Sequence, residues 1–344
     1  ETAMQGELST GDVIAVAKNI REVGDPIMIL TGGEPLARKD FFDIARACTG
    51  IFSRVALATN GTLITDAIAA EVAASGIQRA SISIDGSCAR SHDAFRGLPG
   101  SFDHALRGWD SLKRAGVSLQ MNVTLARHNV GELDDILKLA IERGADAFHV
   151  FVLVPVGCGA QISDNARLDP GEMDDVLRRL FERSLELRGK VHIKATCAPQ
   201  YYRIMREVCS EKHISLQPQG HGMQAVTRGC LAGSNVCFIS RIGDVQPCGY
   251  LPVKAGNVME SKFAAIWNDS NVFTALRDPA KLKGKCGACG YRKICAGCRA
   301  RAYANTADFL AEDPDCMYIP PAGKDAESRR FAGEKKTLTA MLRL

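Results

Sequence analysis

The sequence predicts an α/β chain in two parts, an N-terminal region of alternating strands and helices followed by a smaller cysteine-rich module. Three observations carry that expectation. Short apolar runs recur over the first two hundred residues, several of them ending in a glycine-bearing turn. Amphipathic stretches of helical length separate them, the pattern of parallel βαβ units with right-handed crossovers. Eight of the 13 cysteines then gather at Cys230, Cys237, Cys248, Cys286, Cys289, Cys295, Cys298 and Cys316.

The elements follow in order. The run 27–31 closes on Gly32-Gly33-Glu34-Pro35 and reads as a buried strand ending in a turn. A helix at 39–48 leads to a strand at 55–59 and the turn Asn60-Gly61; a helix at 66–75 leads to a strand at 80–84 that stops at Asp85-Gly86. Residues 101–115 are helical with Ser101 as N-cap, and 118–124 is a strand. The pair repeats at 132–143 and 148–154, a longer helix spans 170–188, and a strand at 191–195 with a helix at 199–211 closes the series. Two architectures remain open, a doubly wound sheet or a barrel, and both gather function at the carboxyl ends of the strands. Those ends carry Gly32-Gly33-Glu34-Pro35, Thr59-Asn60-Gly61-Thr62, Ser83-Ile84-Asp85-Gly86 and Pro155-Val156-Gly157. Asn-Gly and Asp-Gly are common turn dipeptides, so it is their recurrence at one end of successive strands that marks a ligand face. Neither the dinucleotide nor the P-loop fingerprint occurs.

Composition narrows the function classes. A chain of 344 residues has the length of about two domains, and 46% hydrophobic with 24% charged residues excludes wholesale disorder. No apolar run approaches the roughly 20 residues of a membrane span, and no secretory segment opens the chain, so a cytoplasmic location is expected. A formal charge of +4 is too weak to argue for nucleic acid. That charge is uneven, because residues 228–303 hold 12 basic and 4 acidic side chains. Residues 213–229 suit a linker or an active-site loop, 237–240 and 244–246 a hairpin, 263–267 and 272–277 helical turns, and 320–344 a charged tail.

Clustered cysteines without a secretion signal read as metal ligands before disulfides, and an odd total excludes complete pairing. Cys286-x2-Cys289-x5-Cys295-x2-Cys298 places four thiols within thirteen residues. Zinc knuckles usually stand a dozen or more residues apart, whereas an iron–sulfur cubane accepts tight loops around its faces. The spacing favours iron–sulfur, with zinc and a purely structural staple as alternatives. Cys48, Cys88 and Cys209 read as small buried apolar residues; Cys158 and Cys197 lie near the presumed ligand face and are candidates for a role.

The strand-terminal Gly32-Gly33-Glu34-Pro35, the Ser83-x-Asp85-Gly86 step and the C-terminal cysteines together resemble the radical SAM enzymes with a SPASM domain. The resemblance implies a partial (β/α)6 barrel at 1–212, a SPASM iron–sulfur domain at 213–320 and a tail at 321–344. It implies S-adenosylmethionine (SAM) bound by Gly32, Gly33, Glu34, Asn60, Ser83, Asp85, Arg96 and Val154. It further implies one auxiliary [4Fe–4S] cluster on Cys230, Cys237, Cys248 and Cys298 and a second on Cys286, Cys289, Cys295 and Cys316. The family spaces the last pair of its C-x2-C-x5-C-x3-C segment by three residues, whereas two separate Cys295 from Cys298. The family's C-x3-C-x2-C motif, which holds the SAM-cleaving cluster, does not occur in the sequence. Since the chain starts at Glu1 without a methionine, the first strand and its cluster loop are expected upstream of it, the alternative being a degenerate family member without radical chemistry.

Within the family, the stretches Lys194-Ala195-Thr196-Cys197-Ala198-Pro199 and Pro247-Cys248-Gly249-Tyr250-Leu251-Pro252 are similar to the AhbD-type haem synthases of the siroheme-dependent pathway. That resemblance implies oxidative decarboxylation of two propionates of iron-coproporphyrin III to vinyls, giving haem b. It also implies an external donor such as ferredoxin or flavodoxin. Arg299 and Arg301 are candidate propionate contacts, and His149, His192 and His221 candidate axial ligands to the substrate iron. The alternatives are a SPASM enzyme that modifies peptides or proteins, a haem d1-type tetrapyrrole enzyme, and a non-enzymatic electron carrier or zinc protein.

Overall fold

The computed structural model describes residues 6–161, 164–215 and 229–321. It opens with a helix the apolar runs did not announce, α1 (Thr10–Arg21). Ser9 caps it by accepting from the Asp12 amide, and the Asp12 carboxylate accepts in return from the Ser9 amide. Then come β1 (Ile27–Leu30), α2 (Phe41–Ile51), β2 (Arg54–Thr59), α3 (Asp66–Ala74) and β3 (Arg79–Ser83). Another unpredicted helix, α4 (Ala89–Arg96), precedes α5 (Ser101–Arg114), β4 (Ser118–Leu125), α6 (Leu133–Glu142) and β5 (Ala147–Val152). α7 (Pro170–Glu186) starts on an Asp169–Glu172 capping box and leads to β6 (His192–Thr196) and α8 (Tyr201–Glu211).

All six strands pair in parallel in the order β1-β2-β3-β4-β5-β6. A doubly wound sheet reverses its order at a switch point; a monotonic order has every crossover on one side, and the twisted sheet coils into a half-barrel. This resolves the choice the sequence left open. Alternate residues sort to two faces. Val55, Leu57, Ala80, Ile82, Met121, Val123, Phe148 and Val150 are buried in the core beneath the helices. Their neighbours Ser83, Gln120, Asn122, His149 and Lys194 are polar and half-buried on the concave face. The strands are therefore not apolar on both sides, as a run of buried strands would suggest.

The C-terminal part is irregular. Strands β7 (Phe238–Ile239), β8 (Asp244–Gln246) and β9 (Gly256–Asn257) form an antiparallel sheet whose first two strands are the expected hairpin. Short helices follow, α9 (Phe263–Asp269), α10 (Asn271–Arg277), α11 (Gly284–Ala288) and α12 (Arg299–Thr306). Phe263, Ile266 and Phe273 join the same buried core as the barrel. Among the described residues no helix is long and apolar enough to cross a membrane. Of the linker and tail expectations, residues 216–228 and 322–344 lie outside the described residues, as does His221.

Candidate functional site

At the carboxyl end of β1 the chain turns through Gly32 and Gly33, both exposed, and a Cβ on either would meet nothing within 4 Å. The backbone there is open to a ligand. Glu34 ties this turn to β2: its Oε1 accepts from Thr59 Oγ1 at 2.7 Å and from the Leu36 amide at 3.2 Å, and its Oε2 accepts from the Asn60 amide at 2.8 Å. Oε2 thus keeps a lone pair for a further donor. Asn60 Oδ1 accepts from both the amide and the hydroxyl of Thr62, at 2.8 Å each, and Ser83 lies beside Asn122 in the register of β3 and β4.

Asp85, just past β3, is fully buried. Its Oδ1 accepts from the Thr124 amide at 2.6 Å, and Arg96 on α4 places Nη2 2.5 Å from Oδ2. The Asp85 amide donates to His92 Nδ1 at 3.0 Å, and Asn129 donates to the Asp85 carbonyl at 2.8 Å. Seven of the eight residues assigned to SAM (Gly32, Gly33, Glu34, Asn60, Ser83, Asp85 and Arg96) therefore lie around the ends of three adjacent strands. Val154, two residues past the carboxyl end of β5, packs with Leu251, Cys298 and Ala300 where barrel meets module.

Four thiols, Cys286, Cys289, Cys295 and Cys316, line one recess together with Arg203, Lys285, Arg292, Tyr291 and Tyr318. The Tyr291 amide donates to Cys289 Sγ at 3.4 Å, the Gly297 amide to Cys295 Sγ at 3.5 Å and the Asp313 amide to Cys286 Sγ at 3.4 Å. Gly297 sits at φ +65°, and a Cβ there would come within 2.9 Å of Cys286 Sγ, so only glycine keeps the turn and leaves room for the sulfur. Burial pushes the Cys316 thiol up to about 11; nearby cations and N–H donors are what an anionic metal cluster needs to hold such thiols ionised. No three acid, His or Cys side chains among the described residues converge on a single ion, and thiols spread around a recess suit a multi-iron cluster.

Of the other set, Cys230, Cys248 and Cys298 come together, whereas Cys237 does not. The Cys248 thiol is pushed up to about 12 by burial and by Cys230 and Cys298, and the Cys298 thiol has Cys230 and Arg301 among its neighbours. Cys237, also raised to about 12 by burial, has Arg277 as its charged neighbour. The cause is local: Cys237 leads into β7 and packs against the main core, where Arg277 stacks on Trp267 at 4.5 Å from the ring centre. Cys197 shares the surroundings of the three gathered thiols. Cys48 and Cys209 are buried apolar residues as expected, Cys88 is exposed, and the side chain of Cys158 lies outside the described residues.

Arg299 and Arg301, expected as propionate contacts, are engaged within the protein interior. Both are buried because α12 presents its charged face to the protein interior, 2% and 0% exposed. Arg299 donates to the carbonyls of Phe309 and Ala311 at 3.0 and 2.6 Å and to Cys286 Sγ at 3.6 Å. Arg301 pairs through Nε with Asp313 at 3.2 Å and Asp315 at 3.3 Å, and through Nη2 with the Cys197 carbonyl at 2.7 Å. Its Nη1 is buried without a hydrogen-bond partner. A buried guanidinium atom left unpaired beside Cys298 fits the charge of a thiolate-bound cluster. Tyr250, not singled out by the sequence, has Cys197, Cys248, Cys298 and Asp85 in its surroundings.

His149 and His192 lie on the concave face with ring centres 6.0 Å apart. Burial first, then Lys194 and Arg79, holds both imidazoles below the usual histidine range, His149 well below it. His149 Nε2, His192 Nδ1 and Arg79 Nη1 are buried without hydrogen-bond partners.

Comparison with known proteins places this geometry. Residues 3–140 match the Radical SAM superfamily and residues 230–299 match SPASM, an iron–sulfur cluster-binding domain. The chain is 48% identical over 315 residues to the AdoMet-dependent heme synthase of Methanosarcina barkeri, covering 92% of this chain and 89% of that protein. The AdoMet-dependent heme synthase of Nitratidesulfovibrio vulgaris is 46% identical over 92% of this chain and 85% of its own length. The pre-heme d1 synthase of Dinoroseobacter shibae is 32% identical over 90% and 79%. In fold, the chain is similar to Streptococcus suis SuiB, with a TM-score of 0.69 at 17% identity over 90% of this chain and 71% of that one.

Proposed function

The chain belongs to the radical SAM enzymes with a SPASM domain, among the AdoMet-dependent heme synthases, and on that premise we propose that it converts iron-coproporphyrin III to haem b. The observation that carries the substrate is the concave face. Arg79 and Lys194 stand there beside His149 and His192, and three polar atoms of this group are buried with no hydrogen-bond partner. A tetrapyrrole bearing propionates supplies the missing acceptors. The imidazoles, held neutral by burial, present the form that binds iron axially.

With a reduced cluster beside it, for which this sequence contains no C-x3-C-x2-C ligands, bound SAM would supply a carbon radical able to take hydrogen from an unactivated propionate carbon. The described residues do the positioning. The exposed Gly32-Gly33 turn, Glu34 Oε2 and the Asp85–Arg96 pair frame SAM at the strand ends, and Lys194 with Arg79 holds a carboxylate below. Each propionate that has lost a hydrogen atom then releases carbon dioxide and one electron to leave a vinyl. Cys230, Cys248 and Cys298 would hold the auxiliary cluster suited to accept that electron, and Cys286, Cys289, Cys295 and Cys316 the second. A ferredoxin- or flavodoxin-type donor and a cytoplasmic location complete the reading.

Anaerobic incubation with iron-coproporphyrin III, SAM and reductant, followed by mass spectrometry, tests it. Loss of two carboxyl groups as carbon dioxide is expected. Cleavage of SAM with the porphyrin unchanged overturns the reading. Lys194→Ala is expected to weaken porphyrin binding in an absorption titration while leaving SAM binding intact.

A further inference from the structure

The first auxiliary cluster has three thiols in place, and the structure offers a candidate for the fourth that lies outside the cysteine module. Cys197 follows β6, at the carboxyl end of the barrel's last strand. Its backbone takes φ +58°, a left-handed conformation that residues other than glycine avoid. Arg301 holds it there by donating to its carbonyl at 2.7 Å. The side chain, together with Cys248, packs against the small buried group of Val154, Leu251, Cys298 and Ala300. Cys298, Cys248 and Cys230 all act electrostatically on its thiol, and Arg301 Nη1 is buried without a partner in the same region. Cys237 shares none of these relations.

We propose that Cys197 is the fourth thiolate of the first auxiliary cluster, with Cys230, Cys248 and Cys298, and that Cys237 is not a ligand. The inference rests on the auxiliary-cluster reading above. Four thiolates drawn from both parts of the chain enclose a cluster at their junction, with Arg301 as the buried cation that offsets its charge. Tyr250 then has this cluster and Asp85 in its surroundings.

The test uses the full chain reconstituted anaerobically with iron and sulfide, in the forms Cys197→Ser, Cys237→Ser and Cys316→Ser. Iron and sulfide are counted, and the dithionite-reduced protein is followed by electron paramagnetic resonance. Cys197→Ser is expected to lose about four iron per chain, or to shift the signal of one cluster, while Cys237→Ser keeps the full count and spectrum. In Cys197→Ala, added 2-mercaptoethanol is expected to restore the signal by supplying the missing thiolate, which no packing role would produce. The second cluster's signal, lost only in Cys316→Ser, serves as the check that each variant is folded. Full iron and an unchanged spectrum in Cys197→Ser overturn the proposal, as does cluster loss in Cys237→Ser. Wild-type protein that binds no sulfide overturns the cluster reading itself, which is a distinct failure.

Discussion

Replacing Asp313 by asparagine removes one charge and almost no volume from the junction between barrel and module. The carboxylate is fully buried. Its Oδ2 accepts from the Cys298 amide at 2.6 Å and from Gln200 Nε2 at 2.8 Å; its Oδ1 accepts from Arg301 Nε and the Asp315 amide, each at 3.2 Å. Every partner is a donor, so an asparagine NH2 meets two N–H groups whichever way the amide turns. Breaking a buried pair costs roughly 3–5 kcal/mol. Asp315 remains 3.3 Å from Arg301 Nε, which sets the expectation at the lower end, about 3 kcal/mol, or roughly a hundredfold in the unfolding equilibrium. Burial opposes ionisation of Asp313, but Arg301 and the Cys298 amide outweigh it, so the carboxyl titrates below its ordinary value of 3.8. A depressed carboxylate contributes its stability above the unfolded value and loses it as pH falls through the folded one. Urea unfolding under anaerobic conditions is therefore expected to show a constant gap between wild type and Asp313→Asn from pH 7 to about pH 5, narrowing once pH drops below about 4. A gap under about 1 kcal/mol at pH 7, or one that widens on acidification, refutes the reasoning.

Three further outcomes are expected. Glu34→Gln turns an acceptor toward the Asn60 amide or the Thr59 hydroxyl into a donor and removes the charge proposed to face SAM; calorimetry is expected to show SAM affinity reduced about tenfold or more, the worth of one charge-assisted hydrogen bond, and unchanged affinity sinks the assignment. Arg96→Ala leaves the buried Asp85 carboxylate without its cation at a cost of about 2 kcal/mol, modest because Arg96 is itself 33% exposed. Asp85→Asn is expected to recover part of that loss in thermal melts, and full additivity of the two changes would contradict the pairing. Cys48, 1% exposed and pushed up to about 11 by burial, is expected to resist iodoacetamide at pH 8 until the chain unfolds; rapid alkylation of the native protein would show that the site opens.

The barrel was legible because its strands end in glycine turns and its long helices carry apolar stripes. The order of the strands was not, since nothing in a run such as 80–84 states which neighbour it pairs with. α1 did leave a signal, Ser9 three residues ahead of Asp12 with Val13, Val16, Ala17 and Ile20 on one face. α12 left none, because its buried side is Arg299, Ala300, Arg301 and Ala302, the reverse of an apolar stripe. The same inversion hid the burial of Arg299 and Arg301: charged residues on a short segment suggest a surface, and their partners, the Phe309 and Ala311 carbonyls for Arg299 and Asp313 with Asp315 for Arg301, come from the loop that follows α12. In the cysteine module, spacing picked out three of the four thiols that line one recess, Cys286, Cys289 and Cys295, together with Cys298, which lies elsewhere; Cys316 was grouped with them only by the family resemblance. Position after a strand marked Cys197 as a candidate for a role, but not its place beside Cys248 and Cys298, which it reaches only through the fold of the barrel.

The core of the barrel does not stop where the cysteine module begins: Phe263, Ile266 and Phe273 belong to it, and the Asp313 carboxylate reaches Gln200 across the same boundary. Chains built from separable units melt in separate steps. Here the ordinary expectation for a domain pair reverses. Heating would disrupt strands, helices and thiol-bearing loops in one cooperative transition, so cutting the chain between its two recognisable halves would yield two fragments, neither with a complete interior.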